Sequence, residues 1–155
     1  MNMSSLVISN FWEAFKKKYP DAGDKYLAWS FGGTADQADR LAALVISGKK
    51  TATASLYQLY RWTNEPVPKV GDYNIILDGR QAPVCIIRTT KIEVVPFSEV
   101  TAEHAKLEGE GDLSLDYWRE VHWEFFSEEA EAANHHFFET DPVVCEEFEL
   151  LWPTE

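Results

Sequence analysis

Lys50 and Thr53 stand three residues apart in the stretch Ser-Gly-Lys-Lys-Thr-Ala-Thr-Ala-Ser, 47–55, where two adjacent lysines run into a ladder of small hydroxyl residues. A threonine hydroxyl attacks a carbonyl only when a base removes its proton, and a lysine that burial has stripped of charge is one group that can do so. The same pattern also fits a solvated cation at a helix end, favoured by the helix dipole, beside threonines that are ordinary strand formers.

A second group follows further on. Glu108, Glu110 and Asp112 alternate with Gly109 and Gly111. Three carboxylates on a glycine-loosened loop suit a hard divalent cation, which takes oxygen ligands, and equally suit a solvated acidic loop. Length and spacing exclude an EF-hand, and Gly109-x-Gly111 lacks the third glycine of a dinucleotide loop. His135 and His136 are adjacent, and His104 and His122 fall on predicted helices with no partner at ligand spacing, so a zinc site is not indicated. Arg119 and His122 share a helical face and fit either donation to a phosphate or carbonyl or a surface ion pair. Trp118 and Trp123 fit either stacking on a base or packing.

Charge limits the partners. With 14 basic against 26 acidic residues and a net charge of −12, the chain lacks the cations that coat a long phosphate backbone. A local basic pocket for one nucleoside or a short single strand remains compatible. At 155 residues and 45% hydrophobic, one domain with a proper core is expected. Cys85 and Cys145 sit in apolar, strand-like runs and read as buried free thiols in a reducing compartment. The first ten residues lack a basic region followed by a long apolar core, and no apolar run approaches the ~20 residues of a membrane span. A cytoplasmic protein with no membrane partner is expected.

The elements that position these groups follow from period and punctuation. A capping box from Asn10 to Glu13 predicts a short amphipathic helix, which Pro20 stops. After a break at Trp-Ser-Phe-Gly-Gly, 29–33, Thr34 and Gln37 begin a second helix that Gly48 caps. Period two then takes over, with Thr51, Thr53, Ser55 and Tyr57 on one side and Ala52, Ala54 and Leu56 on the other. The lysines therefore stand at the mouth of a hydroxyl-lined strand. A strand over 73–77, a hairpin at Asp78-Gly79 and one long strand or two over 82–97 come next. A helix is expected to end at Gly109, and another, capped by Ser114, places Leu115, Trp118, Val121, His122 and Phe125 on one stripe. A strand closes the chain over 142–152. The order predicts an α+β domain built on an antiparallel sheet or small barrel.

These segments resemble the ASCH domain family, a branch of the PUA-like superfamily, and specifically its longer bacterial members. The likeness rests on the 47–55 stretch, on Val-Pro-Lys-Val-Gly-Asp-Tyr-Asn-Ile-Ile-Leu-Asp-Gly (67–79), on Pro-Val-Cys-Ile-Ile-Arg (83–88) and on the block from Pro96 to Phe126. It covers roughly residues 40–152. The resemblance implies a small mixed or antiparallel β-barrel flanked by helices, with residues 34–155 as the ASCH domain and 1–33 as a helical extension packed on it. Short members include amidohydrolases that remove acyl groups from the exocyclic nitrogen of cytidine with a Lys, Thr and Glu set. Matched residue by residue, that set falls on Lys50, Thr53 and Glu108, with His104 four positions before the glutamate. The short enzymes lack the Gly-Glu-Gly-Asp-Leu-Ser block, and their arginine after the threonine strand is absent here, where Ser55 stands close by. Lys49, Ser55, Tyr57, Arg119 and His122 are the expected substrate contacts. No cofactor is implied. Longer members are also associated with metal-assisted RNA cleavage, which assigns a cation such as Mn²⁺ to Glu108, Glu110 and Asp112. The implied partner is a nucleoside or short single-stranded RNA, with a homodimer left open.

Overall fold

The computed structural model describes residues 3–153. Its framework is a five-stranded sheet in the order β1-β3-β4-β5-β2: Leu27–Trp29 (β1), Ala52–Leu56 (β2), Tyr73–Leu77 (β3), Pro83–Pro96 (β4) and Pro142–Trp152 (β5). β1 runs parallel to β3, and every other pairing is antiparallel. The β4–β5 ladder extends from Ile86–Trp152 to Pro96–Pro142 and shifts register at Ile86/Ile87 and at Thr89/Lys91. Such irregularities bend and twist a long pair. The sheet accordingly curls into a half-barrel with β1 and β2 at its two edges.

Two helices carry the expected N-caps, and a third ends at the expected glycine. α2, Ala35–Ile46, starts where the Thr34 hydroxyl accepts from Gln37 N, and Gly48 follows its last turn at φ +83°. The Gln37 side chain does not return to Thr34; its Oε1 accepts from Gly33 N at 2.8 Å. α4, Ala102–Glu108, is capped by Thr101 and ended by Gly109, and α5, Leu115–Ala132, is capped by Ser114.

Three expectations are corrected. α1 spans Met3–Lys18, so Asn10 lies inside the helix and caps nothing; burial of Trp12 and Phe15 against Ile75, Leu77 and Ile86 holds that helix. β1 lies where the sequence offers only a break. Tyr57 leaves the hydroxyl strand and opens a short helix, α3, Tyr57–Trp62, whose Trp62 stacks on His135 at 4.0 Å.

The core divides by sheet face. Leu56, Val143 and Cys145 pack with Trp118, Phe126 and Ala130 of α5, while Ile76, Ile87 and Phe148 pack with Leu41 and Val45 of α2. Both cysteines are free and buried, and burial pushes both thiols up to about 12, which keeps them uncharged and inert at neutral pH. Among the described residues no helix is long and apolar enough to cross a membrane.

Candidate functional site: a buried lysine between two carboxylates

Lys50 follows the C-terminal turn of α2 directly. The backbone doubles back there, with the N–H groups of Lys49 and Lys50 both reaching Leu44 O at 3.0 Å. This turn sends the Lys50 side chain inward, where it is 1% exposed. Its ammonium donates to Glu108 Oε1 at 3.2 Å, Glu110 Oε2 at 3.1 Å and the Glu108 carbonyl at 3.4 Å. It also stands 5.2 Å from the centre of the Phe31 ring. A buried cation is tolerated only when its donors are matched in this way.

Gly109 and Gly111 make the acceptor loop possible. Gly109 is left-handed at φ +75°, and a Cβ there would stand 2.3 Å from Lys49 O. At Gly111, φ +59°, a Cβ would run into the Tyr117 ring at 2.5 Å. Only glycine permits this close approach. The loop backbone therefore lies directly on the Lys49–Lys50 peptide, and Glu110 between the two glycines reaches the ammonium.

Glu108, at the last turn of α4, is the hub. Its Oε2 accepts from Trp118 Nε1 at 2.6 Å and meets His104 Nε2 at 2.8 Å, while Oε1 faces Lys50 and, at 3.5 Å, His122 Nε2. Burial by itself would raise this carboxyl. The charges of Lys50 and His122 and the hydrogen bond from His104 outweigh it and hold Glu108 well below the usual carboxylate range. For His122 the opposing influences are burial, which favours the neutral ring, and the Glu108 charge, which prevails and raises the imidazole. Its Nδ1–H donates to the Trp118 carbonyl at 2.9 Å, and the ring stacks on Trp118 at 4.2 Å. A neutral ring in that tautomer would turn a lone pair toward Glu108, so the geometry favours the doubly protonated form.

These groups open onto one cavity of about 420 Å³ lined by Lys50, Thr53, Glu108, Glu110 and His122, with Phe31, Tyr117 and Phe125 on its walls. Lys50, Thr53 and Glu108 thus share one cleft. Thr53 sits on β2 opposite Glu146 of β5, and none of the Lys50 hydrogen bonds goes to it. Four of the expected substrate contacts lie elsewhere. Ser55 accepts from Tyr60 OH at 2.7 Å, and Tyr57 begins α3. Arg119 donates to Ser98 O at 3.2 Å, while its buried Nε has no partner. Lys49 lines a neighbouring cavity. Only His122 of that group faces the cleft.

The carboxylate triad is also rearranged. Asp112 is spent on the N-terminus of α5, accepting from Ser114 N at 2.9 Å. Glu108, Glu110 and His122 instead converge, with ligand atoms within 4.8 Å of one another. Both carboxylates an ion would need are already bonded to the Lys50 ammonium. His104 and His122, which have no partner at metal-ligand spacing in the sequence, both meet Glu108. The i, i+4 spacing of His104 and Glu108 on α4 signals the first contact; only the fold supplies the second. Trp118 is a buried packing residue that also donates to Glu108, and Trp123 packs on Phe97 and Phe137.

A curled half-barrel with a lysine–carboxylate cleft beside its edge strand defines a PUA-like domain of the ASCH type. The ASCH domain model matches residues 27–152, and the chain belongs to that family. The crystal structure of protein EF3133 from Enterococcus faecalis V583 is 40% identical, with a TM-score of 0.85 over 92% of this chain and 86% of that one. An ASCH domain from Lactobacillus crispatus JV V101 is 29% identical, with a TM-score of 0.84 over 96% and 93%. The hypothetical protein PH0355, 21% identical with a TM-score of 0.53 over 81% and 99%, shares the fold. No curated protein matches the chain.

Proposed function

We propose that the cleft hydrolyses an amide on a modified nucleoside of the N4-acylated cytidine type. The observation that carries this reading is the buried Lys50–Glu108–His122 cluster facing Thr53 across a small cavity. Such a cluster supplies both signs of charge and one mobile proton in a site largely shielded from solvent, where each is worth more than in water.

The roles follow from which groups are free to act. Glu108 is bonded on both oxygens and held strongly acidic, so it orients its neighbours and is a poor base. Glu110 is less buried, at 15% exposed, makes a single ion pair to Lys50 and lines the same cavity as Thr53, so in this reading it takes the Thr53 proton. The Thr53 Oγ then forms a bond to the acyl carbon. The Lys50 ammonium turns from its longest contact, the 3.4 Å carbonyl, to the developing oxyanion. The carbon–nitrogen bond breaks as His122 Nε2 delivers its proton to the departing cytidine amine. In a second step water attacks the threonyl ester: the now neutral His122 Nε2 takes the water proton and is restored, Glu110 returns its proton to the Thr53 Oγ as the ester bond breaks, and carboxylic acid leaves.

The test is turnover of N4-acetylcytidine by the wild type and by Thr53→Val, which keeps the strand-forming shape and deletes the hydroxyl. Release of cytidine and acetate by the wild type alone supports the reading. Normal turnover by a folded Thr53→Val protein refutes the nucleophile. A metal-dependent ribonuclease is favoured by one observation, the convergence of Glu108, Glu110 and His122. It is tested in the same panel with a short single-stranded RNA, with and without Mn²⁺, where cleavage only with metal would select it.

A further inference from the structure

Beside the cleft lies a larger cavity of about 1040 Å³ between the end of α2, the start of β2, α4 and the glycine loop. Arg40 from α2, Lys49 from the turn after it and Lys106 from α4 converge on this space. All three are exposed, and none has an ion-pair partner among the described residues; what sets them apart is that they line one concave space together. Two carboxylates also line the cavity. Glu110 is engaged by Lys50, which leaves Glu103 alone against three cations. In a chain of net charge −12 this is a local excess of positive charge.

The two cavities share a wall made of Arg40, Glu110 and Tyr117. A ligand whose reacting end lies against Lys50 and Thr53 can therefore extend past Glu110 and Tyr117 into the basic chamber. An anionic extension suits this space, because three cations from three different elements face it against one unengaged carboxylate, and a phosphate is the nucleoside substituent that matches them. We infer that the second cavity is a phosphate subsite, so that the substrate is a phosphorylated nucleoside rather than a free one. The inference rests on the nucleoside reading of the first cleft. It answers the question left by Lys49, which points away from that cleft: it acts on the phosphate. One phosphate chemistry has two sources, a 5′-monophosphate or the phosphodiester of a short strand.

Titration calorimetry at low salt separates the outcomes, using cytidine, cytidine 5′-monophosphate and the dinucleotide cytidylyl-(3′→5′)-adenosine against wild type and Lys106→Gln. The wild type should bind one phosphorylated probe at least about tenfold tighter than cytidine, as expected for one charge-assisted contact. That ratio should fall with added salt and by about tenfold in Lys106→Gln, with Arg40→Gln as the second variant. Preference for the monophosphate assigns the 5′ source, and preference for the dinucleotide alone assigns the phosphodiester. Equal binding of all three probes by the wild type, or a ratio unmoved in both variants, overturns the subsite. These readouts need no turnover. Tight binding of the monophosphate with no hydrolysis of N4-acetylcytidine or its 5′-monophosphate upholds the subsite and removes the amidase.

Discussion

Removing the Lys50 ammonium should reverse the way stability depends on pH. At 3.2 Å and an effective dielectric near 20, the attraction between Lys50 and Glu108 is about 5 kcal/mol. Desolvation of both groups offsets part of this, and breaking a buried pair from one side costs about 3–5 kcal/mol. In the wild type the carboxyl of Glu108 is depressed, so its contribution is present above the unfolded value of 4.5 and lost only as pH falls through the much lower folded value. Lys50→Met keeps much of the side-chain volume and deletes the charge. Burial, the largest single influence on Glu108, is then opposed only by the histidines and the Trp118 indole N–H, and Glu110 loses its cation as well. The Glu108 carboxyl shifts upward, and the variant is destabilised progressively as pH rises above about 4.5. The charge of His122, raised above its ordinary 6.5, is lost only at higher pH, and its contribution fades there. Urea unfolding at pH 5, 6.5 and 8 measures this directly, since a domain of this size permits two-state treatment. The deficit should grow from pH 5 to pH 8 and reach about 3 kcal/mol or more. A double-mutant cycle with Glu108→Gln should show coupling of the same order. A deficit below about 1 kcal/mol that does not change with pH would mean the pair behaves like a surface ion pair, and the site reasoning would fall.

Turnover of the acylated nucleoside should decline as pH rises above 6.5 through the raised His122 value, because the proton it delivers is lost; a profile still climbing at pH 9 would exclude His122 as the acid. Glu146 is pushed from 4.5 to about 7 by burial, so its ionisation destabilises the fold as pH rises through that range, by up to about 3 kcal/mol. Glu146→Gln should therefore gain stability over wild type at pH 8 and little at pH 5, read from urea midpoints. Gly109→Ala adds both a left-handed strain and a Cβ 2.3 Å from Lys49 O, so it should cost at least about 1 kcal/mol and displace Glu110. Thermal melting together with N4-acetylcytidine turnover would show both effects.

Local order was largely legible because it is encoded locally. The Thr34 cap of α2, the Ser114 cap of α5, the end of α4 at Gly109, the long β4 and the closing β5 follow from residues within a few positions of one another. The residues singled out by the family resemblance, Lys50, Thr53 and Glu108, line one cleft, and the His104–Glu108 spacing was readable from one helix. Elements decided by contacts far along the chain were not legible. β1 has only three residues and exists through parallel pairing with β3, and α1 extends seven residues before Asn10, held where Trp12 and Phe15 pack against β3 and β4. Asp112 and His122 exchange roles for the same reason. Asp112 is captured by its own backbone two residues on, while His122 is carried by α5 onto a carboxylate fourteen positions earlier. Residue type and spacing therefore determined which chemistry the chain can hold. Only the fold decided that Lys50 is shared between two carboxylates and that Lys49, its neighbour in sequence, opens onto a different cavity, because at a turn adjacent side chains diverge and burial selects one of them.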